Sequence, residues 1–488
     1  MVQSAAAYFV RGFCLMAGVF VSGAVAQPGE WKPVPGPIST VWAEQVDPVR
    51  PLPEYPRPLM AREAWESLNG LWEYAIREEG GEEPEAFDGK ILVPFAVESS
   101  LSGVGKVLEP DATLWYRRTV QVPETWVGKR VLLHFGAVDH HARVWLNGTF
   151  LGEHRGGYDP FSFDLTDALK DGGENTLVVA VQDPTDAGGQ PRGKQVRNPS
   201  GIYYTRSSGI WQTVWMEPVP ETHVESMAIR SDRLGSRIMV DVEASGTIGD
   251  DWIWVEAMAD EEVVSSGRAR PGERVTLPIK DLRVWTPEDP FLYGLRVSVV
   301  RDGGTVDEVQ SYCGVRDVRI GKDASGVMRI LLNDEPVFQF GPLDQGYWPE
   351  GLVTPPSDEA LRFDVEAVKR MGGNMLRKHV KVESQRFYHW CDRLGVLVWQ
   401  DMPSANNPPE AREQFEDELR RMIDALGNHP SIVMWVPFNE GWGQYETERI
   451  VGMVRGLDPT RLVNNASGWT DRGVGDVIDV HIYPGPGM

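Results

Sequence analysis

From Arg50 to about Pro220 apolar and polar residues alternate with period two, in runs broken by Gly, Asn, Asp and Pro at turn-like spacings and with hardly any helical periodicity. Alternation of this kind gives each strand one face for a core and one for solvent, so the region predicts an antiparallel β-sandwich. Its clearest hairpin runs from Ala142 to Leu151, where Asn147 and Gly148 supply the two positive-φ residues of a type I′ turn. A second β region, from Glu221 to Ile320, carries short alternating segments such as Arg237 to Val242, Trp252 to Ala257 and Leu292 to Val300. Roughly seven such runs in about a hundred residues predict an immunoglobulin-like sandwich.

After Pro336 the rhythm changes to short apolar strands followed by helices. Leu361, Val365 and Val368 fall on one helical face, as do Phe387, Trp390, Cys391 and Leu394, and then Phe415, Leu419, Met422, Ile423 and Leu426. The strands between them are expected at Val337 to Phe340, Asn374 to Arg377, Val396 to Gln400, Ile432 to Phe438, Leu462 to Asn465 and Val477 to Tyr483. Strands alternating with helices imply a parallel sheet with crossover connections. About 150 residues lie beyond Pro336, whereas a closed eight-unit (β/α) barrel needs about 250, so the expected barrel is incomplete.

Length and composition narrow the function classes. At roughly 150 residues per domain, 488 residues suggest about three domains. The formal balance of 48 basic and 71 acidic side chains, −23, removes the basic field that would recruit nucleic acid or anionic lipid. The apolar stretch Val10 to Ala24, ending in Ala24-Val25-Ala26, reads as a cleavable secretory signal, with a secreted or periplasmic product and no membrane association after cleavage. Cys14 lies in that leader, and Cys313 and Cys391 fall in different domains, so no disulfide framework is implied. None of the nine histidines pairs with a second ligand at metal-binding spacing.

In a parallel barrel, reactive groups sit where strands end and the βα loops converge. The polar residues at those ends are Asp344 and Gln345, Arg377 and His379, Gln400 and Asp401, Asn439 and Glu440, Asn465 and Trp469, and His481 and Tyr483. The fourth pair is the sharpest, because a buried apolar strand runs from Ser431 straight into an amide and a carboxyl. Held against Trp435 and Trp442, the Glu440 carboxyl would keep its proton near neutral pH, as a general acid must.

The run from Leu426 through Asn428, His429 and Pro430 to Asn439 and Glu440 resembles the acid/base signature of glycoside hydrolase family 2, the family of β-galactosidases, β-glucuronidases and β-mannosidases. Asn374 to Arg377 and Asp392 to Trp399 resemble its other signature. Leu68 to Trp72, Trp115 to Arg118, Val144 to Gly148, Gly156 to Tyr158 and Gly209 to Trp211 are similar to its jelly-roll sugar-binding domain, and Trp285 to Tyr293 and Gly314 to Arg316 to its middle sandwich. The resemblance implies a multidomain β plus α/β chain: signal peptide 1–26, jelly roll 27–220, immunoglobulin-like sandwich 221–320 and partial TIM barrel 321–488. It also implies a retaining exo-β-glycosidase, β-galactosidase-like, in which Glu440 is the acid/base and Asn439 binds the sugar 2-hydroxyl. Arg377 would order carboxylates at the base of the site, with His379, Asp344 and Asp401 near them and Trp469, His481 and Tyr483 as subsite walls. The substrate is a β-linked oligosaccharide or glycoside, and glycosidic cleavage of this kind needs no cofactor.

Two departures from the family pattern bear on the site. The segment Arg377-Lys378-His379-Val380-Lys381 is shorter and more basic than the family's second-strand motif, and Asp344-Gln345 stands where the family has a histidine. The carboxylate that attacks the anomeric carbon belongs to strand seven in the family, so the nucleophile is expected beyond residue 488 and the chain alone is expected not to turn over glycosides. Asp401 and Asp479 do not occupy its position. The competing reading is a secreted carbohydrate-binding protein with a degenerate barrel.

Overall fold

The computed structural model describes residues 31–483, apart from 37, 171, 247 and 248. The expected signal segment, Cys14 and the last five residues lie outside the described residues.

The first sandwich pairs a six-stranded antiparallel sheet, in the order Gly89–Val93, Gly70–Glu78, Ala112–Val120, Asn175–Gln182, His141–Leu146 and Thr149–Arg155, with a four-stranded one. The second sheet runs Glu66–Ser67, Val214–Val219, Arg130–Phe135 and Phe161–Asp164. Period-two alternation sorts the side chains: Ala142, Val144 and Leu146 are buried, whereas Arg143 and Trp145 between them are half-buried on the other face. The buried set meets Trp72, Leu114, Tyr116, Leu133, Phe135 and Met216 in one jelly-roll core. Asn147 (φ +53°) and Gly148 (φ +81°) close the hairpin as the dipeptide predicts.

Seven strands make up the second sandwich. His223–Asp232, Arg237–Ser245 and Val275–Pro278 form one sheet; Glu262–Ala269, Trp252–Ala259, Tyr293–Arg301 and Gly304–Cys313 form the other. Ile238, Val240, Ile253, Val255, Leu295 and Val297 fill the space between them, giving the immunoglobulin-like sandwich. A three-stranded meander, Val318–Lys322, Met328–Leu332 and Glu335–Pro336, then leads into the barrel region. Cys313 and Cys391 are free and buried. No helix among the described residues is long and apolar enough to cross a membrane.

The barrel region is a five-stranded parallel sheet, Leu343–Asp344, Met375–Lys378, Leu397–Asp401, Ile432–Val436 and Leu462–Val463. Helices α1 (Asp358–Arg370), α2 (Gln385–Leu394), α3 (Arg412–Leu426) and α4 (Thr447–Leu457) connect the strands from the first to the fifth. α1 opens on Ser357, whose hydroxyl accepts the Ala360 N–H at 3.1 Å, and carries Asp358 and Glu359 in its first turn and Lys369 and Arg370 in its last, complementing the helix dipole. The apolar faces of the helices, including Leu361, Val365, Phe387, Cys391, Leu419 and Ile423, pack on Leu376, Val398, Ile432 and Trp435 of the sheet.

Two expected strands differ from the structure. The first is expected at Val337 to Phe340, but the Val337 N–H still donates to Ile330 of the meander; contact with the second strand starts where Phe340 O accepts the Asn374 N–H at 2.9 Å, and the paired strand itself is Leu343–Asp344. The sixth, Val477 to Tyr483, forms no strand and pairs with none among the described residues. Asp476 takes over the ladder: its N–H donates to Val463 O at 2.8 Å while its carboxylate accepts the Val463 N–H at 2.7 Å. Ile478, Val480 and Ile482 consequently face solvent, while Asp479 and His481 turn inward.

Candidate active site

The site is built where the second to fifth strands end. The fourth strand, Ile432–Val436, is buried throughout and fixes the direction in which the chain leaves the sheet. Past it the backbone stays tied to its neighbour: Ser467 N–H donates to Phe438 O at 3.0 Å and Glu440 N–H to Ser467 O at 2.9 Å. Glu440 (φ +53°) and Gly441 (φ +81°) then turn the backbone through two successive left-handed residues. A left-handed conformation costs a non-glycine residue about 1 kcal/mol or more, and such strain collects at functional positions.

The signature residues just before this strand have a mechanical task. Asn428 accepts the Ile229 N–H at 2.7 Å and donates to Met227 O at 2.8 Å, across to the immunoglobulin-like sandwich. Asp392 of α2 accepts from Tyr312 Oη at 2.8 Å and from the Ser431 N–H at 2.9 Å, and lies 2.6 Å from His429 Nδ1. Arg316 donates to Pro430 O, Ile432 O and Thr460 O at 3.1, 2.9 and 2.9 Å. The strand that ends in Glu440 therefore starts from a clamp made by the second sandwich.

At the mouth, Glu440 Oε1 lies 2.6 Å from His481 Nδ1 and accepts from Tyr483 Oη at 3.1 Å. His481 Nε2 lies 3.0 Å from Arg377 Nη1, which can only donate, and 2.9 Å from Ser467 Oγ, so this nitrogen faces the base of the site while Nδ1 faces Glu440. Glu440 Oε2 has no hydrogen-bond partner among the described residues. Trp469 packs its ring 6.3 Å from that of His481 and 6.3 Å from that of Tyr483, and is half exposed.

Beneath Glu440 lies a buried charge pair. Arg377 Nε and Nη2 donate to the two oxygens of Asp401 at 3.0 and 2.7 Å, and Nη2 also donates to Asn439 Oδ1 at 2.9 Å. Asp401 further meets His379 Nδ1 and the Val380 N–H, each at 3.2 Å. Burial alone would raise the Asp401 pKa, but the Arg377 charge outweighs it and the carboxyl is held below its ordinary value. Burial also keeps His379 below the usual histidine pKa despite Asp401. With its oxygen on Arg377, the Asn439 amide leaves Nδ2 buried and without a partner among the described residues.

Arg377, His379, Asp401, Asn439, Glu440, His481, Trp469 and Tyr483 thus come together. Asp344 does not join them: it pairs with Lys378 at 2.7 Å, and Lys378 and Lys381 both bind Glu383, at 3.1 and 2.7 Å. The basic run that departs from the family pattern is therefore turned inward as a structural cluster. Of the two tryptophans expected around Glu440, Trp435 is turned into the core, where its Nε1 donates to Asp458, and Trp442 stacks on Tyr203. Asp479 anchors the rim by accepting from Ser467 Oγ at 2.5 Å and the Gly468 N–H at 2.8 Å. The apolar cavity lined by Leu52, Phe135, Trp211, Val382 and Met422 contains none of the groups around Glu440.

Sequence reasoning missed one contributor. A loop of the first sandwich crosses to the barrel mouth, where the Arg192 and Gly193 N–H groups both donate to Ser404 O at 3.0 Å, and brings Lys194 with it. No local pattern signals this, because the loop is fixed by partners some 200 positions away in the chain.

Comparison with known proteins gives the same three-part division. Descriptions of the sugar binding domain of glycosyl hydrolases family 2, of glycosyl hydrolases family 2, and of that family's TIM barrel domain match residues 103–214, 227–316 and 356–484. A β-galactosidase of Thermoanaerobacter pseudethanolicus is 28% identical over 355 residues, covering 68% of this chain and 45% of the relative. A β-glucuronidase of Paenibacillus borealis is 25% identical over 456 residues, covering 84% of this chain and 74% of the relative. The chain thus spans under half the length of the first of these. Among solved structures, a Ruminococcus gnavus β-glucuronidase superposes with a TM-score of 0.70 at 22% identity, covering 86% of this chain and 74% of that one. Three matched segments, in the order of the three folds seen here, show that the chain belongs to glycoside hydrolase family 2.

Proposed function

We propose that this chain carries the acid/base half of a retaining exo-β-glycosidase acting on terminal β-linked sugars. The observation that carries the reading is the division of labour at Glu440: Oε1 is held by His481 and Tyr483, while Oε2, like the buried amide nitrogen of the preceding Asn439, has no partner among the described residues. Oε2 is then the oxygen that hands a proton to the glycosidic oxygen, and Asn439 Nδ2 donates to the 2-hydroxyl of the same sugar. As the leaving group departs with that proton, a second carboxylate bonds to the anomeric carbon, from about 5 to 5.5 Å away in a retaining enzyme. Water then displaces it while Glu440, now a base, takes the water proton; the His481 N–H supports this ionised form.

Asp401 and Asp479 are saturated by Arg377 and His379 and by Ser467 and Gly468, so the attack is assigned to neither. The relatives bear both β-galactosidase and β-glucuronidase names, which supports a terminal β-linked hexose or hexuronic acid and singles out neither.

The test replaces the attacking carboxylate with an added anion. With 4-nitrophenyl β-galactoside or β-glucuronide and azide, the 488-residue chain should release nitrophenol and form the α-glycosyl azide, the Glu440 proton going to the phenolate. Glu440→Gln should slow this by about 100-fold or more, the usual range of a general acid. Release unaffected by Glu440→Gln would refute the assignment, and rapid turnover without azide would show that a carboxylate within the chain does attack.

A further inference from the structure

An ammonium is strongly hydrated, and covering it without a counter-charge is costly. Lys194 is nevertheless only 7% exposed as a whole residue, and its Nζ, which still touches solvent at the mouth, has no hydrogen-bond or ion-pair partner among the described residues. The fold pairs its other deeply buried lysines: Lys378 bridges Asp344 and Glu383, and Lys381 bridges Glu383.

The position of Lys194 is fixed from both sides. Gly193 adopts φ +64°, and a Cβ there would lie 2.4 Å from Val380 O, so only glycine lets the loop seat against the end of the second barrel strand. Lys194 O accepts the Tyr204 N–H at 3.2 Å, and the Gln195 amide donates to Asp139 and Tyr158 at 3.1 and 2.9 Å. Burial lowers the Lys194 pKa; the charges acting on it in opposition or support are Glu440 first, then Arg377 and Asp401, all groups of the mouth. Asp401 is already neutralised by Arg377 at 2.7 Å, and Glu440 is engaged by His481 and Tyr483.

We infer that Lys194 is a specificity-determining residue, an ammonium lent by the first sandwich to the barrel mouth to pair with an anionic substituent, a carboxylate or a sulfate ester, on the sugar bound at Glu440. The inference rests on the glycosidase reading above. Discrimination acts in both directions, because an acidic sugar supplies the missing counter-charge and a neutral one covers the ammonium further without supplying it.

The experiment measures equilibrium binding of uncleavable thioglycosides to the 488-residue chain at low and high salt. The ligands are phenyl 1-thio-β-D-glucuronide and its neutral glucoside, and phenyl 6-O-sulfo-1-thio-β-D-galactoside and its neutral galactoside. At least one acidic ligand should bind roughly tenfold tighter than its neutral partner, equivalent to about 1.4 kcal/mol, with the gap shrinking in salt. Whichever acidic ligand shows the gap identifies the anion. Lys194→Gln should close the gap by weakening the acidic ligand while the neutral one binds as well as before or more tightly, and Lys194→Arg should keep most of it. Equal binding of acidic and neutral sugars by the unaltered chain would overturn the role of Lys194 while leaving the glycosidase reading standing. A gap that survives Lys194→Gln, or a loss shared equally by both ligands, would also overturn it. Absence of binding by every glycoside would remove both conclusions. Should Lys194→Gln fail to melt cooperatively, the acidic-to-neutral ratio of the unaltered chain and its salt dependence decide.

Discussion

Replacing Asp401 with Asn changes a side chain by one atom and should be among the most damaging substitutions in the barrel region. Asp401 accepts two bonds from Arg377, at 3.0 and 2.7 Å, meets His379 and the Val380 N–H at 3.2 Å, and is 1% exposed. In Asp401→Asn one acceptor becomes a donor facing donors, and the buried Arg377 loses its nearest counter-charge. Breaking a buried pair from one side costs about 3–5 kcal/mol. At about 2–4 °C per kcal/mol for a unit of barrel size, the melting temperature should fall by roughly 6–20 °C at pH 7. The pH dependence supplies a second check. The folded Asp401 pKa is depressed, so its contribution is fully present above the unfolded value of about 3.9 and is lost as pH falls through the folded value. The gap between wild type and Asp401→Asn should therefore be constant from about pH 8 to about pH 5 and close below about pH 4. Thermal melts across that range are the assay. A shift below about 1 °C at pH 7, the size expected of an exposed ion pair, would refute the reasoning.

The same geometry sets other outcomes. Gly341→Ala and Gly148→Ala should separate steric from conformational cost. A Cβ at 341 would fall 1.6 Å from Met375 O, whereas at 148 (φ +81°) nothing lies within 4 Å. Gly148→Ala should cost about 1–2 kcal/mol and Gly341→Ala several times more, as read by parallel melts, and equal losses would contradict the packing. Burial pushes the Cys313 thiol up to about 12 and raises Cys391 well above its ordinary value, so a disulfide reagent at about pH 8 should label neither until the chain unfolds. Fast labelling of either in the native protein, located by mass mapping, would show that the core is not closed over it.

Much of this architecture is legible in the sequence because the deciding forces are local. The Asn147–Gly148 turn, the helical faces at Leu361 and Phe415, and the buried run into Glu440 come from periodicity and backbone preference alone. The misplaced elements are those decided at a distance. Val337 looks like a barrel strand but is held by the meander through Ile330, and Asp476 ends the fifth strand's pairing with its own side chain. Asp344 reads as a site residue from its place after a strand, yet the buried Lys378 withdraws it. Lys194 leaves no trace in the local pattern because its loop takes its shape from Ser404 and Val380 of another domain.

The clamp at residues 428–431 changes what the middle sandwich is for. Met227, Ile229, Tyr312 and Arg316 grip the base of the strand whose far end aims Glu440. A lever fixed at one end transmits small tilts to its tip, so a shift of that sandwich by a fraction of an ångström redirects the proton donor without touching any group in the mouth. Grafting this barrel onto a foreign middle domain would thus misalign the acid unless those four gripping residues travelled with it.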